Sequence, residues 1–148
     1  QFVREEAGFP FRVRNALSEL VWLLYCHLSP AASAVSQKSL RDAQRIKAML
    51  TCIHSQYGSE LSTAAIAASA SVSESECLRC FRATIGTTPI QYLKQYRLRQ
   101  AAKLLTETHG KIADIAASCG FQDMSYFTRA FRETLGCTPT QYRKNASL

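Results

Sequence analysis

Apolar residues recur along this chain at three- and four-residue intervals, and the alternation that builds strands is scarce, so the pattern predicts an all-α fold. Leu17, Leu20, Val21, Leu24 and Leu28 form one stripe, predicting a helix over roughly residues 14 to 28. Residues 29 to 39, with Pro30, four serines and three alanines, read as a linker. Beyond it, Ser39 with Asp42 three residues on has the spacing of a capping box. Ile46, Met49, Leu50, Ile53 and Tyr57 then share one side of a helix that Gly58 stops.

A short helix is predicted next, with Ser62 as N-cap and Leu61 placed to staple against Ile66, ending near Ala70. Ser73 and Glu76 make a capping box for another helix. Two helices joined only by Ser71, Val72 and Ser73 have the span of a helix-turn-helix, in which the second helix is braced across the first and keeps one face free. Pro89 then opens a longer helix, because a first-turn proline sacrifices no needed donor, and it runs to about Thr106. Its eighteen residues span roughly 27 Å.

The second half repeats the first. Laying residues 79 to 94 over 129 to 144 gives ten identities in sixteen positions: Arg79, Phe81, Arg82, Thr84, Gly86, Thr88, Pro89, Gln91, Tyr92 and Lys94. Upstream, Ile66-Ala67-Ala68-Ser69 matches Ile115-Ala116-Ala117-Ser118 at an offset shorter by one, so the second turn carries one added residue. The second copy predicts a short helix from Ile112 to Cys119, Gly120 as its left-handed closing residue, Asp123 as the next N-cap, and a helix from Met124 to Leu135. Two such units held apart by a rigid helix could sit near one duplex turn of about 34 Å from each other.

Charge agrees with a polyanionic partner: eighteen Lys and Arg against eleven Asp and Glu give +7, with a pI near 9.3. From Cys77 to Thr106 there are six bases (Arg79, Arg82, Lys94, Arg97, Arg99, Lys103) and no acid. The six cysteines sit mostly among apolar residues, with no secretory leader ahead of them, and read as reduced thiols of a cytoplasmic protein. Leu20 to Leu28, which contains His27, falls short of the roughly 18 apolar residues that cross a bilayer, so no membrane partner is expected.

The second copy, IADIAASCGFQDMSYFTRAFRETLGCTPTQYRK, resembles the signature of the AraC/XylS family of bacterial transcription regulators. The first copy and its linker helix, ending QYLKQYRLRQAAKLL, are similar to that family's first half, and the likeness covers about Gln44 to Lys144. Ser71 stands where the family usually has glycine, implying a slightly different first turn and docking angle; Cys77 and Cys80 replace leucines. The resemblance implies two homeodomain-like helix-turn-helix subdomains, at about 62–85 and 112–135, joined by a linker helix at about 89–106. Residues 39–148 would form the DNA-binding domain, and residues 1–38 the helical end and linker of a sensor or dimerisation region. Implied partners are double-stranded DNA, RNA polymerase, and a second copy of the chain through the N-terminal helix or a missing sensor domain.

On the helix from Glu74, a turn of 100° per residue sends Cys77, Phe81, Thr84 and Ile85 to one side and Ser75, Arg79 and Arg82 to the other, with Leu78 at the border. The matching outward set is Met124, Ser125, Thr128, Arg129 and Arg132. Arginine suits the O6 and N7 of guanine, Ser and Thr can donate or accept, and Leu78 or Met124 can meet a thymine methyl. Arg79 and Arg129 lead this DNA-reading set. Lys94, Arg97 and the helix N-termini at Ser62, Thr88 and Thr138 are the candidates for phosphate.

Other chemistry finds little support in the residues. Cys77-Leu78-Arg79-Cys80 has metal or redox spacing, but no second such pair accompanies it, and the matching positions in the other copy are Phe127 and Ala130. His27, His54 and His109 lie on separate elements with no nucleophile arranged beside them, and there is no Gly-rich phosphate loop. Neither enzyme, cofactor nor metal is expected. The competing expectation is a helical protein-interaction or ligand-sensing module, built on the stripe from Leu17 to Leu28, in which DNA binding is secondary.

Overall fold

The computed structural model describes residues 37–146, and residues from Arg41 onward make one compact unit. The stripe from Leu17 to Leu28 and the residues 29–36 of the predicted linker lie outside the described residues. Seven helices and no strand occur among those described: α1 (Gln37–Gln56), α2 (Thr63–Ser69), α3 (Glu74–Thr84), α4 (Pro89–Glu107), α5 (Ile112–Ser118), α6 (Met124–Leu135) and α7 (Pro139–Ala146).

Two cores organise them. Ile46, Met49 and Ile53 of α1 meet Ile66 and Ala67 of α2, Cys77, Cys80 and Phe81 of α3, and Leu93 of α4. Farther along α4, Leu98, Ala101, Ala102 and Leu105 join Ile115 and Ala116 of α5 and Phe127, Ala130 and Phe131 of α6. One helix therefore supplies a wall to each core. The duplication extends into the packing: Phe81 meets Tyr92 edge-on at 6.0 Å, and Phe131 meets Tyr142 edge-on at 5.5 Å, the same pair fifty residues later.

Several local expectations need correcting. α1 is already helical at Gln37 and Lys38, so Ser39 lies within the helix and is not its N-cap, and Asp42 turns its carboxylate to Arg45 and Arg79. Gln37 and Lys38 are good helix formers, and an arginine partner outbids a weak capping contact. Gly58 is not left-handed; its value is close approach, since a Cβ there would lie 2.6 Å from the Ser118 carbonyl oxygen. Thr84, placed on the inner side by the helical wheel, is exposed, while Cys80 is fully buried, because α3 presents its Cys77, Cys80, Phe81 edge to the core.

The two turns open alike, and the second then carries its added residue before the N-cap, Ser73 standing two residues after Ser71 and Asp123 three after Gly120. Ser71 takes φ +53° and Gly120 φ +83°. In the first turn Ser71 N donates to Ala68 O at 3.0 Å and Val72 N to Ala67 O at 3.1 Å. In the second, Gly120 N donates to Ala117 O and Phe121 N to Ala116 O, both at 2.9 Å. The serine does not reshape its turn. It enters the left-handed region at a cost of about 1–2 kcal/mol, which the surrounding helices sustain.

Candidate nucleic-acid interface

Each unit presents its second helix, α3 or α6, behind a well-formed cap. Ser73 Oγ accepts from Glu76 N at 3.2 Å, and Asp123 Oδ1 accepts from Tyr126 N at 2.6 Å. The reciprocal half of the first capping box is absent, because the Glu76 carboxylate is held by arginines instead.

All nine residues expected to read bases are exposed or half-buried. Ser75, Arg79 and Arg82 of α3 and Met124, Ser125, Arg129 and Arg132 of α6 are exposed, and Leu78 and Thr128 are half-buried at the borders. On α6, Ser125, Thr128, Arg129 and Arg132 line one surface recess together with Glu133 and Thr138.

The two leading arginines are held differently. Arg79 donates from Nε to Glu76 Oε2 at 2.8 Å, and from Nη2 to Glu76 Oε1 at 2.7 Å and to both Asp42 oxygens at 3.1 Å. Arg45 reaches the same carboxylates, 2.8 Å from Glu76 and 3.3 Å from Asp42. Hydrogen bonds from Arg79 hold the Asp42 and Glu76 carboxyls below their ordinary range, and the two carboxylates in turn raise the Arg79 guanidinium. Arg129 has neither partner: position 126 is Tyr where position 76 is Glu, and its guanidinium stands 5.9 Å from the Tyr126 ring centre. Lys94 of α4 covers the same ring at 5.4 Å, so Tyr126 ties the second unit to the linker helix.

The phosphate candidates divide as well. Ser62 Oγ accepts from Ala65 N, Thr88 Oγ1 from Gln91 N and Thr138 Oγ1 from Gln141 N, so each is a working N-cap. Arg97 turns inward: Nε donates to Tyr57 O and Nη2 to Ser59 O, both at 2.7 Å. It thereby closes the C-terminal end of α1 against the second turn.

Cys77 and Cys80 are both fully buried, and desolvation raises both thiols. Asp42, Glu76 and Cys80 offer ligand atoms within 4.8 Å of one another, but Arg45 and Arg79 already neutralise the two carboxylates. Sequence reasoning missed the roles of three residues: Asp42 and Glu76, each read only as the partner in a capping box, and Tyr126. The Glu-to-Tyr difference at matching positions of the two copies was the available signal.

A family described as a helix-turn-helix domain matches residues 66–145. The chain belongs to the AraC-type helix-turn-helix family. An AraC-like transcription regulator of Streptomyces lividans is 36% identical over 107 residues, covering 72% of this chain and 35% of that protein. An AraC-type regulator structure from Chromobacterium violaceum is 28% identical with a TM-score of 0.67, covering 70% of this chain and 92% of that one. The DNA-binding domain of the global transcriptional factor AdpA, solved with a target DNA, is 27% identical with a TM-score of 0.63, covering 68% and 90%. The AraC-type chain described here spans about a third of the length of the curated relatives it matches. No helix among its described residues is long and apolar enough to cross a membrane.

Proposed function

We propose that this chain is the DNA-binding part of a bacterial transcription regulator and reads two successive major-groove segments with α3 and α6. The observation that carries the reading is the recurrence of one turn and one capped, arginine-bearing helix on either side of α4, which walls both cores. At 1.5 Å per residue the nineteen residues of α4 span about 28 Å, comparable with the duplex turn of about 34 Å that separates successive major-groove faces.

In this reading Ser75, Leu78, Arg79 and Arg82 face one groove segment, and Met124, Ser125, Thr128, Arg129 and Arg132 the next. Lys94 and the N-termini at Ser62, Thr88 and Thr138 lie toward phosphate, where backbone N–H groups and the helix dipole favour an anion. The net charge of +7 adds a sequence-independent, salt-dependent attraction. The chain performs no catalytic step. RNA polymerase and a second copy of the chain are the further partners of the whole regulator, which works in the bacterial cytoplasm.

Selection of bound duplexes from a random pool at fixed salt tests the reading. Enriched sequences should carry two short conserved segments about one helical turn apart. Arg129→Ala should cost about 1–3 kcal/mol and relax one base pair. Enrichment of no sequence, or of a single segment indifferent to both helices, would overturn it.

A further inference from the structure

The duplicated units are unequal at their matching arginines. A bidentate grip on guanine needs two donors from one edge of a guanidinium, aimed at O6 and N7. In Arg79 the Nε and Nη2 edge is engaged by Glu76, and Nη2 is shared with both oxygens of Asp42. Either edge that could meet guanine includes Nη2, so only Nη1 is left uncommitted, and one nitrogen by itself cannot form the bidentate edge. Arg129 carries no such restraint: among the described residues it has no ion pair within 4 Å, and it opens onto the recess with Ser125, Thr128 and Arg132.

From this difference we infer that Asp42 and Glu76 are specificity-determining residues that keep Arg79 from reading a base, so that guanine discrimination rests on Arg129 in the second unit. The inference rests on the DNA-binding reading above. Asp42 is on α1, 37 residues before Arg79, so it is a positioning residue that acts through the arginine and touches no nucleotide. Arg45 reinforces the arrangement by bridging the same two carboxylates, which keeps them ionised and fixed while Arg79 is bound. The first unit then contributes mainly through Ser75, Leu78 and Arg82, which give weaker base preference and backbone attraction.

The test is a double-mutant cycle read by the same duplex selection and by titration of the best duplex at fixed salt. In the otherwise unchanged chain, Arg129→Ala should weaken binding roughly tenfold or more with loss of preference at one base pair, and Arg79→Ala by about threefold or less with preference kept. In the Asp42→Asn, Glu76→Gln background, Arg79→Ala should weaken binding roughly tenfold, and the parent of that background should acquire a new guanine preference in the first segment. Equal losses for Arg79→Ala and Arg129→Ala in the unaltered chain, each at its own base pair, would overturn the inference while leaving the DNA-binding reading intact. That comparison does not depend on the carboxylate variants folding. An Arg79→Ala effect of the same size in both backgrounds would also overturn it, and failure of the unaltered chain to enrich any duplex would overturn both.

Discussion

Gly120 is the position at which backbone conformation and packing can be separated by experiment. Its φ of +83° lies in the left-handed region, and a Cβ built there would stand 2.8 Å from Arg97 Cζ, Arg97 Nε and the Tyr57 carbonyl oxygen. Gly136 has nearly the same φ, +80°, yet a Cβ there meets nothing within 4 Å. Alanine at either site carries the left-handed penalty of about 1–2 kcal/mol. Only at Gly120 must something also move. Arg97 cannot swing away cheaply, because its guanidinium is fastened at 2.7 Å to two carbonyls, and hydrogen bonds from a charged donor contribute about 1.5–3 kcal/mol each. Loss of one of them puts Gly120→Ala at about 2.5–5 kcal/mol and leaves Gly136→Ala at about 1–2 kcal/mol. Urea unfolding followed by far-ultraviolet circular dichroism measures both, with the slope checked for constancy so that the midpoint reports stability. Matching midpoints for the two variants would refute the packing half of the reasoning and with it the importance of the Arg97 contact.

Three further outcomes follow from the same geometry. Ser71→Gly should raise stability by about 0.5–1 kcal/mol in urea titration, because φ +53° strains serine and suits glycine. Asp123→Ala should lower the thermal midpoint through loss of about 1 kcal/mol of N-cap energy at α6, whereas Asp123→Asn should recover most of it. His54 has its pKa lowered from 6.5, first by desolvation and then by the Arg99 charge, while it stacks on Tyr96 at 4.4 Å and bonds the Tyr92 hydroxyl at 2.8 Å. The unfolded chain therefore takes up this proton more readily than the folded one. The contribution is fully present above about pH 6.5 and is lost as pH falls through the folded value, and His54→Gln should flatten the thermal midpoint across that window.

What the sequence made legible was local. The apolar spacing placed Ile46, Met49 and Ile53, because burial on a helix repeats every three or four residues. The caps at Ser62, Ser73 and Asp123 were readable because a capping side chain reaches only to the N–H three residues ahead. The Asp42 to Arg79 pair and the Arg97 to Tyr57 contact span 37 and 40 residues and belong to no local pattern. They depend on how α1, α3 and α4 cross, which periodicity does not encode. Ser39 was misread as a cap for a related reason: an acidic residue three positions after a serine looks like a cap partner until a distant arginine claims it. Ser71 misled in the opposite direction, because residue identity suggested a new turn where the flanking helices enforce the old one.

Duplication explains which differences the two copies can carry. The turn hydrogen bonds, the buried phenylalanines and their tyrosine partners form a self-consistent scaffold, so a change in any one of them disturbs close-packed neighbours. Position 76 or 126 lies on the first turn of the presented helix, half-buried as glutamate and exposed as tyrosine, where the Tyr126 ring stands 6.3 Å from Phe121; neither side chain makes a turn hydrogen bond or belongs to the phenylalanine–tyrosine pairs. They are not equivalent to the arginine three residues on. Glutamate converts it into half of an ion pair, with Asp42 completing the grip, while tyrosine offers a ring shared with Lys94 of the linker helix and leaves the donors exposed. Two carboxylates, one on α1 and one on α3, thus set the Arg79 guanidinium apart from that of Arg129 on two otherwise matching helices.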